Sequence, residues 1–296
     1  ISLVPSTALF AQLLDIILAR RAAPSAAASS ASALFTFLRA VLANAFPRPG
    51  DSIRVRTFSA TGSATPDEYT LTRPRAETLA DFVSVAGVLA RLSVGVVVEL
   101  WAALLCERRV LVTCADPVRL SSTMSALAAL LHPFAWQHVF IPVLPKSLAG
   151  YVTAPMPFFI GCLDATLDAV RSMGMPLEEM YLVSADTGAV AMRPSDAASD
   201  LLPRQPSALL RNTLVALYNA HIRGHSDAEL GDPSAPANGL VTRAFLRCLQ
   251  QLFCGAAHFI CSVPPQGYTG RPRKMYFHAA EFVQHLASDA PPFPQG

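Results

Sequence analysis

Glu107-Arg108-Arg109-Val110-Leu111-Val112-Thr113-Cys114-Ala115-Asp116-Pro117 is the stretch that decides the fold. Its centre, Arg109 to Thr113, is an apolar run of strand length without polar alternation, the pattern of a strand covered on both faces. Asp116 then offers a carboxylate to cap a helix, and Pro117 suits the first helical position, where a missing N–H costs nothing. Upstream, Val94, Val98, Trp101, Ala102 and Leu105 recur at helical spacing, which predicts a buried helix over Ser93–Cys106. Helix, buried strand and capped helix in succession predict a parallel sheet covered by helices.

The pattern repeats downstream. The helix after Pro117 would bury Leu120, Met124, Leu127, Ala128 and Leu131, and it halts at His132-Pro133. Strands are expected at His138–Ile141, ended by Pro142, at Phe158–Cys162 and at Met180–Val183, with a helix over Ala165–Met173. Asp186-Thr187-Gly188 closes the last of these strands. Beyond Asp196 the chain reads as helical, over Pro206–Ile222 and Leu240–Phe253. Between them, residues 223–239 are polar and rich in Gly, Pro, Asp and Ser, and read as a disordered loop. A short helix from Tyr276 carries Phe277, Phe282, Val283 and Leu286 and runs into a Pro-rich tail.

Upstream, Leu9–Arg21 has a helical apolar repeat ending in Arg20-Arg21, favourable charges at a helix C-terminus. Residues 22–32, rich in Ala and Ser around Pro24, read as a linker. A helix over Ala33–Ala45 is stopped by Phe46-Pro47-Arg48-Pro49-Gly50, and Ile53–Phe58 alternates as a short strand. The expected class is α/β: a mostly parallel, helix-flanked sheet followed by a helical region.

The 296 residues suffice for one large domain or two ordinary ones. Hydrophobic residues make up 52% and charged residues 15%, against about 25% in ordinary domains, which favours a deep core. A net charge of +2 is too small to imply nucleic acid or an anionic membrane as the main partner. The cysteines at 106, 114, 162, 248, 254 and 261 lack zinc-site spacing, and Cys106, Cys114 and Cys162 read as reduced core thiols, suiting a cytoplasmic compartment. The longest apolar run, Val94–Cys106, is 13 residues and includes Glu99, where a membrane span needs about 20. Ile1 opens in mid-pattern without an initiator Met, as in a piece of a longer chain.

The motifs of chemistry are missing. There is no G-x-S-x-G, no phosphate-binding G-x-x-x-x-G-K-[ST], no G-x-G-x-x-G and no H-E-x-x-H. His221 and His225 are four apart, but Gly224 intervenes and no third ligand is near. Glu178-Glu179 and the pair Asp164 and Asp168 read as exposed helix charges. No catalytic side chain, cofactor, metal or small-molecule substrate is therefore expected.

One long stretch does carry a specific resemblance. Glu107-Arg108-Arg109-Val110-Leu111 is followed by His132-Pro133-Phe134-Ala135-Trp136-Gln137-His138 and by Ile141-Pro142-Val143-Leu144-Pro145. Ala154-Pro155-Met156-Pro157-Phe158-Phe159-Ile160-Gly161 completes the series. In order and spacing these resemble the heart of the DENN domain family. Ala43 to Arg54, with Leu92-Ser93, is similar to the start of that core, and Ile1 to Arg21 to the tail of the upstream, longin-containing region. The resemblance divides the chain into that tail helix (1–21), the linker (22–32), a central core (33–200) and a downstream helical region (201–290).

Membership implies a guanine-nucleotide exchange factor for a Rab-type small GTPase in membrane trafficking, recruited from the cytoplasm to endomembrane or vesicle surfaces. The basic run Arg271, Arg273 and Lys274 reads as a solvated stretch rather than as a contact to an acidic membrane, because three charges are few for such a contact. Most of the motif reads as scaffold: Glu107-Arg108-Arg109 as a helix-to-strand turn, Trp136-Gln137-His138 as internal packing with satisfied polar groups, Pro155 and Pro157 as an extended entry to a strand. Binding loops of open parallel sheets cluster at the carboxyl ends of the strands. That places the expected GTPase contacts at Asp116, Arg119, Asp164, Ser184 and Asp186. Two departures favour a runner-up, a DENN-like scaffold that binds without promoting exchange. Little of the longin region is represented, and Ser184 stands where the family often has aspartate. A small-molecule enzyme on a Rossmann-like sheet, the third reading, has no motif behind it.

Overall fold

The structure is a computed structural model and describes residues 7–22, 30–59, 65–75, 82–172, 174, 177–195, 201–263 and 274–287. The chain forms two compact units, Ile1–Val83 and Ser84–Gly296.

The first unit pairs two helices, α1 (Thr7–Ala22) and α2 (Ser30–Leu42), with an antiparallel hairpin, β1 (Ser52–Thr57) and β2 (Asp67–Thr72). Leu9, Phe37, Val55 and Leu71 form its core. Arg20, read as a charge near a helix end, is buried instead. Its guanidinium donates to Asp67 Oδ2 at 3.1 Å and to the Phe58 carbonyl at 2.9 Å, beneath the rings of Phe37 and Tyr69. A buried cation persists only when paired in this way. Of the expected linker, Ala22 ends α1, Ser30 to Ser32 open α2, and 23–29 lie outside the described residues.

The second unit contains the sheet. Helices α3 (Ala86–Arg91) and α4 (Val94–Leu105) lead into β3 (Val110–Cys114), then α5 (Pro117–Ala129) and β4 (Val139–Ile141). A 3-10 segment at Lys146–Thr153 precedes β5 (Phe158–Leu163), α6 (Asp164–Ser172), β6 (Tyr181–Ser184) and β7 (Val190–Met192). Strand order is β4-β5-β3-β6-β7, parallel except for the final β6–β7 pair. All five residues of β3 are buried, as the unbroken apolar run requires. One face, through Leu111, Ile160 and Leu182, packs on Leu167 and Val170 of α6. Gly161, on the other face, has no room for a side chain, because a Cβ there would collide with the Pro142 carbonyl and stand 3.0 Å from Met124 of α5. The α/β architecture is as expected.

Downstream, α7 (Arg204–Leu217) runs through a wide turn at Tyr218–Ile222, followed by α8 (Asp227–Leu230) and α9 (Pro236–Phe253). Trp101 of α4 is fully buried, donates its indole N–H to the Leu130 carbonyl at 2.9 Å, and meets Phe245 of α9 edge-on. Two expectations are corrected here. Residues 223–239 hold α8 and the start of α9, with Leu230 and Asn238 buried, because partners elsewhere satisfy their polar groups. Tyr276 and Phe277 belong to a strand, β9 (Lys274–Phe277), paired antiparallel with β8 (Ile260–Val263), and the helix α10 begins only at Ala279 and ends at Ala287. Aromatic residues at 276 and 277 favour the pleated pairing over a helix start. Arg271, Arg273 and the Pro-rich tail lie outside the described residues.

Candidate functional site

Parallel pairing of β3 with β6, Thr113 opposite Ser184, brings the chain past each strand to the same end of the sheet. The ladder continues as Ala185 N–H donates to the Thr113 carbonyl at 2.7 Å. The β6 chain then turns: Gly188 N–H donates to the Ser184 carbonyl at 2.9 Å, and Thr187 N–H to Ser184 Oγ at 3.3 Å. The Ser184 hydroxyl thus helps fold its own turn.

Asp186 crosses from this turn to the β3 side. Its Oδ2 accepts the Ala115 N–H at 2.7 Å, and its Oδ1 faces the Cys114 thiol at 3.3 Å and Arg119 Nη1 at 3.4 Å. The Ala115 N–H is the main reason its carboxyl titrates below the ordinary aspartate range, with the Cys114 thiol and the Arg119 charge adding to the effect. Asp116 Oδ1 accepts the N–H groups of Val118 and Arg119 at 2.7 and 3.4 Å, capping α5 as the sequence predicts. Asp116, Arg119, Ser184 and Asp186 therefore share one rim, held by charge-assisted and backbone hydrogen bonds. Asp164 opens α6 at the end of the adjacent strand β5 and is exposed. Val118, absent from the sequence-based set, stands 72% exposed between Asp116 and Arg119. Only the geometry of the cap marks it out.

The longer motif folds the elements that carry this rim. Glu107 adopts φ +52, the left-handed position just past α4. With it, Arg108 N–H reaches the Ala103 carbonyl at 2.9 Å and Glu107 N–H the Leu104 carbonyl at 3.0 Å, a Schellman turn. The Glu107 carboxylate lies 3.1 Å from His138 Nε2, and the Arg109 carbonyl accepts the Tyr181 N–H at 2.9 Å, starting the β3–β6 pair. Trp136 donates its indole N–H to the Val139 carbonyl at 3.1 Å, and Gln137 its amide to the Ala135 carbonyl at 2.9 Å. Phe134, beside Pro133, meets Phe253 edge-on. Pro145 opens the 3-10 segment, and exposed Pro155 and half-buried Pro157 lead into β5.

Among the described residues, no group of three His, Cys, Asp or Glu side chains is placed to hold a metal ion, His221 and His225 included. No helix among them is long and apolar enough to cross a membrane.

The sequence matches the DENN (AEX-3) domain over residues 1–188, which takes in the whole rim and all of the motif. It is 35% identical to DENN domain-containing protein 2B of Homo sapiens over 239 residues, which is 81% of this chain and 20% of that protein. Human DENN domain-containing protein 2A is 33% identical over 257 residues, 86% of this chain and 24% of that protein. Human DENN domain-containing protein 2D is 31% identical over 207 residues, 69% of this chain and 41% of that protein. The chain thus spans between a fifth and two fifths of the length of these relatives. A match across the first 188 residues, and a helix-flanked sheet carrying that motif, lead to one conclusion: the chain belongs to the DENN domain family.

Proposed function

We propose that this chain grips a Rab-type small GTPase and promotes its exchange of GDP for GTP in membrane trafficking. The observation that supports this most is the rim at the carboxyl ends of β3 and β6 in a chain of the DENN family. Its backbone is fixed by Asp186 and Asp116, with Arg119 half-buried against Asp186, while Val118 and Asp164 are exposed. A preorganised polar rim around an exposed apolar residue is what protein docking needs.

Such a partner needs no nucleotide site here. A GTPase that binds GDP with nanomolar to picomolar affinity holds it by about 12 to 16 kcal/mol. A protein that prefers the nucleotide-free form weakens GDP by the same factor, because binding couplings are reciprocal. Its task is to hold open the loops that order around phosphate and Mg²⁺.

The test is release of a fluorescent GDP analogue from a panel of Rab-type GTPases. Faster release, slowed by Asp164→Lys or Val118→Glu without a lower melting temperature, is the expected result. Binding without release marks the second reading, a non-catalytic scaffold, which the local use of the Ser184 hydroxyl favours. Loss of activity only in parallel with unfolding removes these residues from the contact surface.

A further inference from the structure

Both arms of the rim converge on one residue at the end of α3. Arg91 Nη1 donates to Ser122 Oγ at 2.8 Å and to Thr123 Oγ1 at 3.0 Å, both on α5. Its backbone carbonyl presses on the other arm: a Cβ placed on Gly188 would stand 3.0 Å from the Arg91 oxygen. Gly188 has φ +69, so the turn after Ser184 is shaped by a residue that needs the left-handed region and leaves no space beside Arg91.

The opposite end of α3 is anchored. Ala86 N–H donates to Asn238 Oδ1 at 2.8 Å, and Gly87 N–H to Ser84 Oγ at 3.1 Å. The Ser84 hydroxyl donates in turn to the Leu230 carbonyl, and Asn238 Nδ2 to the Asp232 carbonyl at 2.8 Å. Asn238 is 3% exposed, so its amide is committed to these partners. With Ala86, Val88 and Leu89 buried as well, α3 is a short strut fixed at both ends.

We infer that Arg91 is a positioning residue for the docking rim, holding α5 and the Ser184–Gly188 turn in register. This rests on the reading of that rim as the docking surface. One guanidinium nitrogen spans two hydroxyls on α5 while the same residue's carbonyl abuts Gly188, a division of labour that lysine, a point charge on a flexible stem, meets only in part.

Hydrogen exchange on the full chain, comparing wild type, Arg91→Ala and Arg91→Lys, tests it. In Arg91→Ala, amides of 116–123 should exchange about tenfold faster, a change equivalent to ~1.4 kcal/mol, while β3, β5 and the 184–189 turn, which abuts the backbone carbonyl of Arg91 that the variant retains, keep their protection. Arg91→Lys should fall between the two. With a responsive GTPase, Arg91→Ala should raise KM for the GTPase and leave kcat unchanged. Unchanged exchange at 116–123, or faster exchange across β3 and β5 as well, overturns the inference. If Arg91→Ala does not fold, Gly188→Ala replaces it. That variant pushes on the strut from the turn and should loosen 89–92; protection kept there also overturns the inference. If no GTPase responds to the wild type, the proposed function fails, and the exchange experiment still decides the role of Arg91.

Discussion

The carboxylate of Asp186 accepts the backbone N–H of Ala115 at 2.7 Å, so a residue just past β6 ties down the chain just past β3. The parallel register puts Thr113 beside Ser184, and the two segments therefore leave the sheet side by side. Asp186 converts that proximity into a fixed rim. An unpaired N–H at this point would leave the entry to α5 free to fray.

Removing the Asp186 carboxylate should therefore cost stability in a pH-dependent way. The folded carboxyl titrates below its ordinary range, chiefly because it accepts the Ala115 N–H. Its contribution is thus complete above the unfolded aspartate pKa of about 3.9 and fades as pH falls through the folded value. Urea unfolding of Asp186→Asn at pH 7 should show a loss of about 1 kcal/mol, discounted for the solvent that reaches a side chain 28% exposed. At pH 3 the difference from wild type should shrink. A difference that grows on acidification contradicts the assignment.

Gly161 gives a larger effect. A Cβ at this position meets the Pro142 carbonyl, a backbone atom that cannot rotate away, and Met124 as well. The Leu144 N–H also donates to the Gly161 carbonyl at 2.7 Å, so β5 and the segment that follows β4 would have to move together. Gly161→Ala should destabilise the sheet by at least about 3 kcal/mol, at the upper end of overpacking costs. A thermal midpoint within a degree or two of wild type rules this packing out.

The parts of the fold that were legible in the sequence are those whose signals are local. The strands β3, β5 and β6 are buried on both faces and read as unbroken apolar runs, and the Asp116-Pro117 cap lies within four residues of the amides it serves. By contrast, β7 has three residues, and β2 opens on Asp67-Glu68, so neither offers a periodicity to detect. Asn238 lay in a polar stretch that reads as unstructured; its partners are at Ala86 and Asp232, and burial follows only from tertiary pairing. The same holds for the rim. Asp116 announces itself as a cap, but the Asp186–Ala115 bond depends on the β3–β6 register, which no local pattern encodes.

Thiol labelling reads the burial of two separate elements at once. Burial pushes the Cys162 thiol of β5 and the Cys248 thiol of α9 each up to about 11, with the nearby Asp164 charge adding to the effect on Cys162. At pH 8 about one part in a thousand of either is thiolate, the reactive form. Cys254 and Cys261 are exposed, and so is Cys106 at the end of α4, which therefore is not the core thiol its apolar surroundings suggest. Alkylation at pH 8 followed by mass spectrometry should modify Cys254 and Cys261 first, and Cys162 and Cys248 only in denaturant. Early labelling of Cys248 means that α9 does not pack as described.

Glu107 offers the closest test of the helix-to-strand turn. A non-glycine residue at φ +52 carries a left-handed strain of about 1 kcal/mol, which glycine relieves. Glutamate offsets part of that strain through its contact with His138 at 3.1 Å, whose glutamate side is 59% exposed and which is therefore worth under about 1 kcal/mol. The two effects oppose each other in Glu107→Gly, so its unfolding free energy should stay within about 0.5 kcal/mol of wild type. Glu107→Val keeps the strain, worsens it with a β-branched side chain, and loses the contact; it should cost more than about 1.5 kcal/mol. Chemical denaturation of both variants checks the ordering, and equal losses in the two would mean that the left-handed turn past α4 does not form.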